Sequence, residues 1–220
     1  MKNEDAFFEN KEEGLWLVAD GMGGHTRGDR ASQAIVSAVS AFKRVEDINE
    51  NLKQIDVLLH QAHECCREMF PKKVVGSTVA AIFTQYDQCF FIWAGDSRIY
   101  RLRDGQFELL TEDHTVAQEK VNRGELSAEE AENHASAHVL TRALGVHTNL
   151  ALEISHQYAK SGDRYLICSD GLYCGVFEQK IASTLAESST DEICKKLINL
   201  AFDKGGRDNI TTIVIDVEKA

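Results

Sequence analysis

Four apolar runs of strand length each adjoin an aspartate, at places far apart in the chain. The runs and their acids are 15–19 with Asp20, 89–94 with Asp96, 164–168 with Asp170, and 210–217 with Asp208. A carboxylate is costly inside a buried strand, so each acid marks a strand end. Where neighbouring strands run antiparallel, the end of one lies beside the start of the next, and the four acids can meet at one edge.

Clustered carboxylates repel one another unless a cation holds them, and oxygen ligands suit hard divalent ions. The four aspartates together therefore predict a divalent metal site. A single Asp-Gly pair, such as Asp20-Gly21, is more often only a turn, and we expect a flexible glycine turn directly after Asp20. Asp5, preceded by Glu4, is a candidate fifth carboxylate. Its alternative interpretation is a solvated acid near the N-terminus.

Hydrophobic periodicity predicts paired helices between groups of strands. We expect strands at 6–9 and 15–19, helices at 31–42 and 52–69, hairpins of 78–84 with 89–94 and 98–103 with 106–110, strands at 150–157 and 164–168, helices at 178–187 and 191–203, and a last strand at 210–217. This order does not alternate as βαβ units do. It predicts an α+β fold in which antiparallel sheets are covered by helix pairs.

Residues 115–137 are polar and charged, with short helical patterns at 115–122 and 127–133. One interpretation is an inserted, mobile segment. The other is a pair of surface helices that closes a connection, and the pattern favours neither.

Composition narrows the classes of partner. The net charge of −11 disfavours nucleic acid and anionic membranes. No apolar run is long enough to cross a bilayer and the first residues do not resemble a signal peptide, so we expect a cytoplasmic protein. A length of 220 residues suits one domain, and we expect a monomer. The six cysteines have no Cys-x-x-Cys spacing, which predicts reduced thiols in or near the core and argues against a zinc site.

Several other motifs have ordinary structural explanations. The glycine run that begins at Gly21 lacks the third glycine of a dinucleotide-binding loop. The sequence Asp96-Ser97-Arg98 fits either a metal ligand or an internal ion pair, and Asp113-His114 fits a helix cap followed by a surface histidine. Six further histidines show no zinc-ligand spacing, and we interpret most as structural or surface residues: His60, His63, His134, His138, His147 and His156.

Eight motifs, in family order, resemble those of the metal-dependent serine/threonine protein phosphatases of type 2C. They lie at residues 3–6, 18–25, 76–78, 95–100, 110–114, 140–145, 162–172 and 206–211. The sequence Asp-Gly-Met-Gly-Gly-His at 20–25 is similar to the bacterial branch. The resemblance covers nearly the whole chain, so it is far more specific than any single motif.

The resemblance implies a four-layer α/β/β/α sandwich of two antiparallel sheets flanked by helix pairs, with residues 115–137 as a flap beside the active site. It implies hydrolysis of phosphoserine and phosphothreonine in proteins by hydroxide between two Mn²⁺ or Mg²⁺ ions, reversing a partner kinase. The resemblance implies that Asp20 bridges both ions and that the carbonyl of Gly21 binds the first. It implies that Asp170 and Asp208 bind the second ion, to which Glu4 or Asp5 would also bind directly or through water. Asp96 is the implied ligand of a third, weaker ion.

Two departures from the family pattern affect the expected activity. Met22 stands where animal relatives have a histidine. The family's phosphate-binding arginine would precede Met1, so we expect a short or truncated N-terminal edge with a first strand that pairs incompletely. Lys2 is a poor geometric substitute, and if these residues are the entire protein we expect weak phosphate binding and a raised KM. The alternative function is a catalytically impaired member that binds phosphoprotein as an adaptor or sensor.

Overall fold

The computed structural model describes residues 2–23, 27–71, 73–187, 189–206 and 208–218. The strands are β1 (Asp5–Asn10), β2 (Leu15–Met22), β3 (Gly76–Ser77), β4 (Val79–Gln85), β5 (Gln88–Ala94), β6 (Arg98–Arg103), β7 (Gln106–Leu109), β8 (Glu153–Tyr158), β9 (Arg164–Cys168) and β10 (Thr212–Asp216). The helices are α1 (Gly28–Val39), α2 (Ile48–Met69), α3 (Val116–Asn122), α4 (Ala128–Glu132), α5 (Asp170–Tyr173), α6 (Glu178–Leu185) and α7 (Thr190–Asp203). Both predicted hairpins and all four long helices are present; the short α5 was not predicted.

The strands form two antiparallel sheets. The first has the order β1-β2-β4-β5-β8, with β3 paired to the far end of β2, and the second has the order β10-β9-β6-β7. Every strand pair is antiparallel. The predicted α+β class with two antiparallel sheets is confirmed.

Three apolar interfaces stack the layers. Leu17 on one face of β2 packs with Ile35 of α1 and Leu59 of α2. Val18, next in sequence and therefore on the opposite face, packs against the second sheet at Ile167. Helices α5, α6 and α7 cover the other face of the second sheet, where Leu197 of α7 packs in one cluster with Leu166 of β9. The layer order is helices, sheet, sheet, helices, as the resemblance implied.

Two expectations about the first strands were wrong. Strand β2 does not end at Ala19 in a flexible turn, because Gly21 and Met22 pair with Ser77 and Gly76 of β3. Strand β1 is paired along its whole length, from Asp5 opposite Asp20 onward. Of the motif at 20–25, the residues 24–26 lie outside the described part of the chain.

Gly21 is needed because three backbone segments meet there. A Cβ on Gly21 would lie 2.2 Å from the carbonyl oxygen of Gly28 and 2.5 Å from that of Glu4. Contacts this short with backbone atoms leave no room for a side chain. Glycine thus lets β2 continue while α1 and the start of β1 close on it.

Segment 115–137 contains the two short helices that the sequence predicted, α3 and α4. Thr115 caps α3, and Ser127 caps α4 in a reciprocal capping box with Glu130. The two ends of the segment are joined: Val116 N donates to Val139 O at 2.9 Å, and Thr141 N donates to His114 O at 2.8 Å. The segment is therefore a closed excursion from one point of the fold.

The cysteines match the sequence interpretation only in part. Each is a free thiol, and Cys66, Cys89 and Cys168 are buried. Cys65 and Cys174, however, are exposed. Among the described residues, no helix has the length and apolar character that a membrane span requires.

Asp163 anchors the turn between β8 and β9 and provides a stability test. Its carboxylate, 1% exposed, accepts hydrogen bonds from Arg103 Nε at 2.6 Å and from Lys160 N at 2.7 Å. Burial alone would raise the pKa of Asp163, but these bonds to Arg103 and Lys160 lower it. A carboxyl whose pKa is depressed on folding stabilises the protein above its ordinary pKa, and the gain is lost as pH falls through the depressed value.

We therefore expect Asp163→Asn to lower the free energy of unfolding by about 1–3 kcal/mol at neutral pH, with the difference shrinking as the pH falls towards the ordinary carboxyl pKa and below it. Urea denaturation at several pH values measures this. Asp104→Asn is the matched control, because Asp104 is exposed in a turn at φ 50°, where asparagine fits. A difference that does not change with pH would contradict the ion-pair explanation.

Candidate metal centre

The predicted acids come from both sheets and meet at one end of the sandwich. Asp20 of β2 is the register partner of Asp5 of β1 in the first sheet. In the second sheet, Cys168 of β9 pairs with Thr212 of β10, so Asp170 after β9 lies beside Asp208 before β10. The antiparallel argument from the sequence holds for that pair. The packing of the two sheets then brings the pairs together.

The electrostatics of Asp20 show how closely the acids lie. Its pKa is raised well above the ordinary value, first by burial and then by the negative charges of Asp5, Asp170, Asp96 and Asp208. Each of the other four predicted acids thus lies close enough to act on Asp20. The sequence prediction that distant carboxylates form one cluster agrees with this arrangement.

The pKa values of Asp170 and Asp5 are raised as well. Burial, followed by the charges of Asp96 and Asp208, raises the pKa of Asp170 to about 7. Burial and the charge of Asp208 also raise the pKa of Asp5, although hydroxyl groups oppose the shift. In the absence of a cation, this end of the sandwich holds carboxylates in an environment that disfavours their charge.

Two buried oxygens test whether a metal fits. Asp5 Oδ1 and Asp170 Oδ1 have no hydrogen-bond partner among the described residues. An unpartnered buried carboxylate oxygen is costly, and coordination to divalent cations would satisfy these atoms. The donors are all carboxylate oxygens, which suit Mg²⁺ and Mn²⁺. These residues fit the implied ions.

The structure distinguishes Asp5 from Glu4. Asp5 Oδ2 accepts from Ser169 Oγ at 2.8 Å and from Thr211 Oγ1 at 2.7 Å, which holds the carboxylate beside the residues that flank Asp170 and Asp208. Glu4 Oε1 instead accepts from Gly28 N at 3.0 Å, at the first residue of α1. Of the two predicted alternatives, Asp5 joins the cluster, whereas the Glu4 carboxylate binds the start of the helix.

Lys2 is not placed with the cluster. Its Nζ forms an ion pair with Asp29 in the first turn of α1. The described contacts of Lys2 thus give no support to its predicted role in holding a substrate phosphate.

Asp96 is buried, with 5% of its surface exposed, and a side chain of the second helical layer fixes its backbone. Tyr173 OH donates to Asp96 O at 2.8 Å. The preceding residue, Gly95, has φ 115°, a conformation that favours glycine and turns the chain sharply after β5. The acid predicted to hold a third ion is therefore firmly positioned close to Asp20 and Asp170.

Asp113 and His114 are not a helix cap and a surface residue, so that interpretation was wrong. Asp113 accepts a forked pair of hydrogen bonds from Arg98, from Nε at 3.0 Å and from Nη2 at 2.8 Å. The internal ion pair of Arg98 is thus with Asp113, and the metal-ligand alternative for Asp96 stays a prediction. The Arg98 guanidinium lies over the ring of Tyr173 at 3.8 Å.

His114 joins the loop of Asp96 to the base of segment 115–137. Its ring stacks on Trp93 with the centroids 6.0 Å apart, and its Nδ1 accepts from Gly95 N at 3.1 Å. The other nitrogen, Nε2, faces Glu153 Oε2 at 3.0 Å. Burial lowers the pKa of His114, which favours the neutral ring that this bonding requires.

His138 is the site residue that the sequence interpretation missed. Its Nδ1 lies 3.5 Å from Asp170 Oδ2 and 3.8 Å from Asp96 Oδ2. Hydrogen bonding to Asp96, and next to Cys174, raises the pKa of His138 to about 11. It lies 32 positions before Asp170, and no local spacing marks it as a neighbour of the acids.

A four-layer sandwich with a carboxylate centre at one end of its two sheets is the architecture of the metal-dependent phosphatases. A crystal structure of the Mycobacterium tuberculosis serine/threonine phosphatase PstP/Ppp superposes with a TM-score of 0.92 at 34% identity, covering 99% of this chain and 93% of that one. Another structure of the PstP catalytic domain, in complex with two manganese ions, has a TM-score of 0.88 at 33% identity and covers 99% of this chain and 93% of that one.

The family described as Protein phosphatase 2C matches residues 1–206, and the chain belongs to that family. PstP of Mycobacterium tuberculosis H37Rv is 35% identical over 219 residues, which are 98% of this chain but 42% of PstP. The chain thus spans less than half the length of that relative. The serine/threonine phosphatase stp of Listeria welshimeri is 34% identical over 226 residues, covering 97% of this chain and 90% of stp.

Proposed function

We propose that this chain is a metal-dependent protein phosphatase that hydrolyses phosphoserine and phosphothreonine in proteins. The observation that carries the proposal is the cluster of buried, mutually repelling acids, with unpartnered oxygens on Asp5 and Asp170, in a 2C phosphatase fold. Relatives named serine/threonine phosphatases, one of them solved with two manganese ions, support the same function.

The residues have distinct proposed roles around two Mn²⁺ or Mg²⁺ ions. Asp20, whose pKa is raised by the charges of the other four acids, would contact both ions, beside the carbonyl of Gly21. Asp170 and Asp208 would hold the second ion from the other sheet, together with Asp5. When bound, such a pair of ions lowers the pKa of a water between them and offsets charge on the phosphoryl oxygens.

The surrounding residues keep these carboxylates in position. The hydroxyls of Ser169 and Thr211 occupy one oxygen of Asp5, which leaves the other oxygen for a cation. Thr78 Oγ1 accepts from the backbone N of Asp20 at 3.1 Å and contacts Ser97 Oγ at 2.6 Å, so strand β2, which carries Asp20, is linked to the loop that carries Asp96. This network fixes the acids before substrate arrives.

The proposal also covers a third ion, the role of residues 115–137, the domain organisation and the substrates. We propose that Asp96 holds a third, weaker ion, that residues 115–137 act as a flap over the substrate, and that one domain carries the activity. We also propose that the substrates are proteins phosphorylated by a bacterial serine/threonine kinase in the cytoplasm. Lys2 is the predicted additional phosphate contact, which it would make only by leaving Asp29.

The test is phosphate release from a phosphothreonine peptide. We expect turnover with Mn²⁺, background rates after chelation, and recovery when Mn²⁺ is added back. Turnover that survives thorough chelation would contradict the proposed role of the ions. Peptide binding without turnover at any metal concentration would instead favour the adaptor or sensor, the alternative function for this fold.

A further inference from the structure

One group of potential metal ligands differs in chemistry from the carboxylate cluster. It consists of His138, Cys174 and Asp170, and one ligand atom from each lies within 4.8 Å of the others. Cys174 ends α5, four residues after Asp170, and His138 directly follows segment 115–137. The group therefore joins the end of that segment to the helix that carries a catalytic-site acid.

The three side chains lie near enough to one another to close on a small tetrahedral ion. His138 Nε2 lies 3.7 Å from Cys174 Sγ, and His138 Nδ1 lies 3.5 Å from Asp170 Oδ2. Zinc binds sulfur at about 2.3 Å and nitrogen or oxygen at about 2.0–2.2 Å, so neighbouring ligands of one tetrahedral zinc are about 3.4–3.6 Å apart. Because different ring nitrogens face Cys174 and Asp170, binding one ion requires the imidazole ring to turn and the ligand atoms, now within 4.8 Å of one another, to close to those separations.

The ligand types favour a metal other than Mn²⁺ or Mg²⁺. Thiolate and imidazole together select zinc and similar borderline ions, whereas carboxylates alone suit Mg²⁺ and Mn²⁺. Packing does not explain the two side chains, because Cys174 is exposed and the His138 side chain is 55% exposed. Their described polar contacts are with each other and with the acids Asp96 and Asp170.

We propose that His138, Cys174 and Asp170 form a binding site for Zn²⁺ next to the carboxylate cluster. The fourth position would be filled by water or by Asp96, whose Oδ2 lies 3.8 Å from His138 Nδ1. Binding deprotonates the thiol and the ring, and both protons pass to solvent. Two consequences follow: the ion ties segment 115–137 to α5, and it shares Asp170 with the proposed catalytic ions.

Cobalt substitution provides a test that does not depend on enzyme activity. Co²⁺ bound to a thiolate gives a sulfur-to-metal charge-transfer absorption that carboxylate ligands do not give, so occupancy of the carboxylate cluster does not interfere. We expect this band in the wild-type protein and its displacement by Zn²⁺. The band should disappear in Cys174→Ser and weaken in His138→Ala, but persist in Cys65→Ser, which removes the exposed cysteine of α2.

The affinity for Zn²⁺ should fall in the variant that loses the cobalt band, Cys174→Ser. Losing even an outer-shell partner costs about 10- to 100-fold in metal affinity, so losing the sulfur ligand should weaken displacement of Co²⁺ by Zn²⁺ at least tenfold. A wild-type protein without the band, or a band that Cys174→Ser leaves unchanged, would overturn the proposal. A band lost in Cys65→Ser would also overturn it, because the thiolate would then be the wrong one.

The effect on catalysis rests on the proposed function. With Mn²⁺ supporting turnover, Zn²⁺ should inhibit the wild type at concentrations at least about tenfold below those needed for Cys174→Ser. Equal inhibition of both proteins would overturn the claim that the site controls turnover. A protein with the cobalt band but no phosphatase activity would contradict the proposed function while leaving the zinc site supported.

Discussion

Replacing Asp20 by asparagine should greatly reduce metal-dependent turnover and, in the presence of a chelator, make the protein more stable. Asp20 lies at the centre of the carboxylate cluster, where burial and four neighbouring acids oppose its charge. Removing that charge relieves repulsion in the cation-free protein. The same change removes the proposed bridge between two ions. Activity and stability should therefore move in opposite directions.

The expected changes in kcat and in the free energy of unfolding are both large enough to measure. A lost contribution of about 3–4 kcal/mol to the transition state lowers kcat about 100- to 1000-fold. Relief of the buried charge should add about 1–3 kcal/mol to the free energy of unfolding in chelator. Phosphate-release kinetics and urea denaturation measure the two quantities, with Asp104→Asn as the control for an exposed aspartate. Lower stability of Asp20→Asn in chelator would contradict the repulsion argument.

Replacing Arg98 by methionine should destabilise the protein by about 3–5 kcal/mol, because it leaves the Asp113 carboxylate buried without its partner. The side chains of Arg98 and Asp113 are only 15% and 13% exposed. The change also removes the cation that lies over Tyr173, the residue whose hydroxyl holds the backbone of Asp96. Urea denaturation should show the loss directly.

A double-mutant cycle tests the cause. Adding Asp113→Leu to Arg98→Met removes the stranded charge, so the double variant should be more stable than Arg98→Met alone. Arg123→Met is the matched control, because Arg123 and Glu125 form an exposed pair whose loss should cost less than about 1 kcal/mol. If the double variant is the less stable of the two, the ion pair is not the source of the effect.

Local pattern predicted the layers of this fold well. The unbroken apolar run at 15–19 is typical of a strand buried on both faces, as Leu17 and Val18 are, and the helical spacing of Ile55 and Leu59 is present on α2. The convergence of Asp170 and Asp208 also followed from a local rule, since antiparallel strands return to the same edge. These features depend on neighbours in sequence or on adjacent strands.

Features that depend on contacts between layers were harder to predict. Asp20-Gly21 has the composition of a turn, but β3, more than fifty residues later, supplies hydrogen-bond partners that keep it in a strand. Asp113 and His114 resemble a cap and a surface residue until Arg98 and Trp93 are placed beside them. His138 reaches the acids only because the segment before it closes on itself. Such contacts leave no local sequence pattern.

The joined ends of segment 115–137 have an evolutionary consequence. Because Val116 N donates a hydrogen bond to Val139 O, the segment leaves the rest of the fold and returns to it at a single point. The entropy of closing such a loop grows slowly, by about 0.6 kcal/mol for each doubling of length. The excursion can therefore lengthen, shorten or be exchanged as a unit at little thermodynamic cost, while the strands that carry the carboxylate centre stay unchanged.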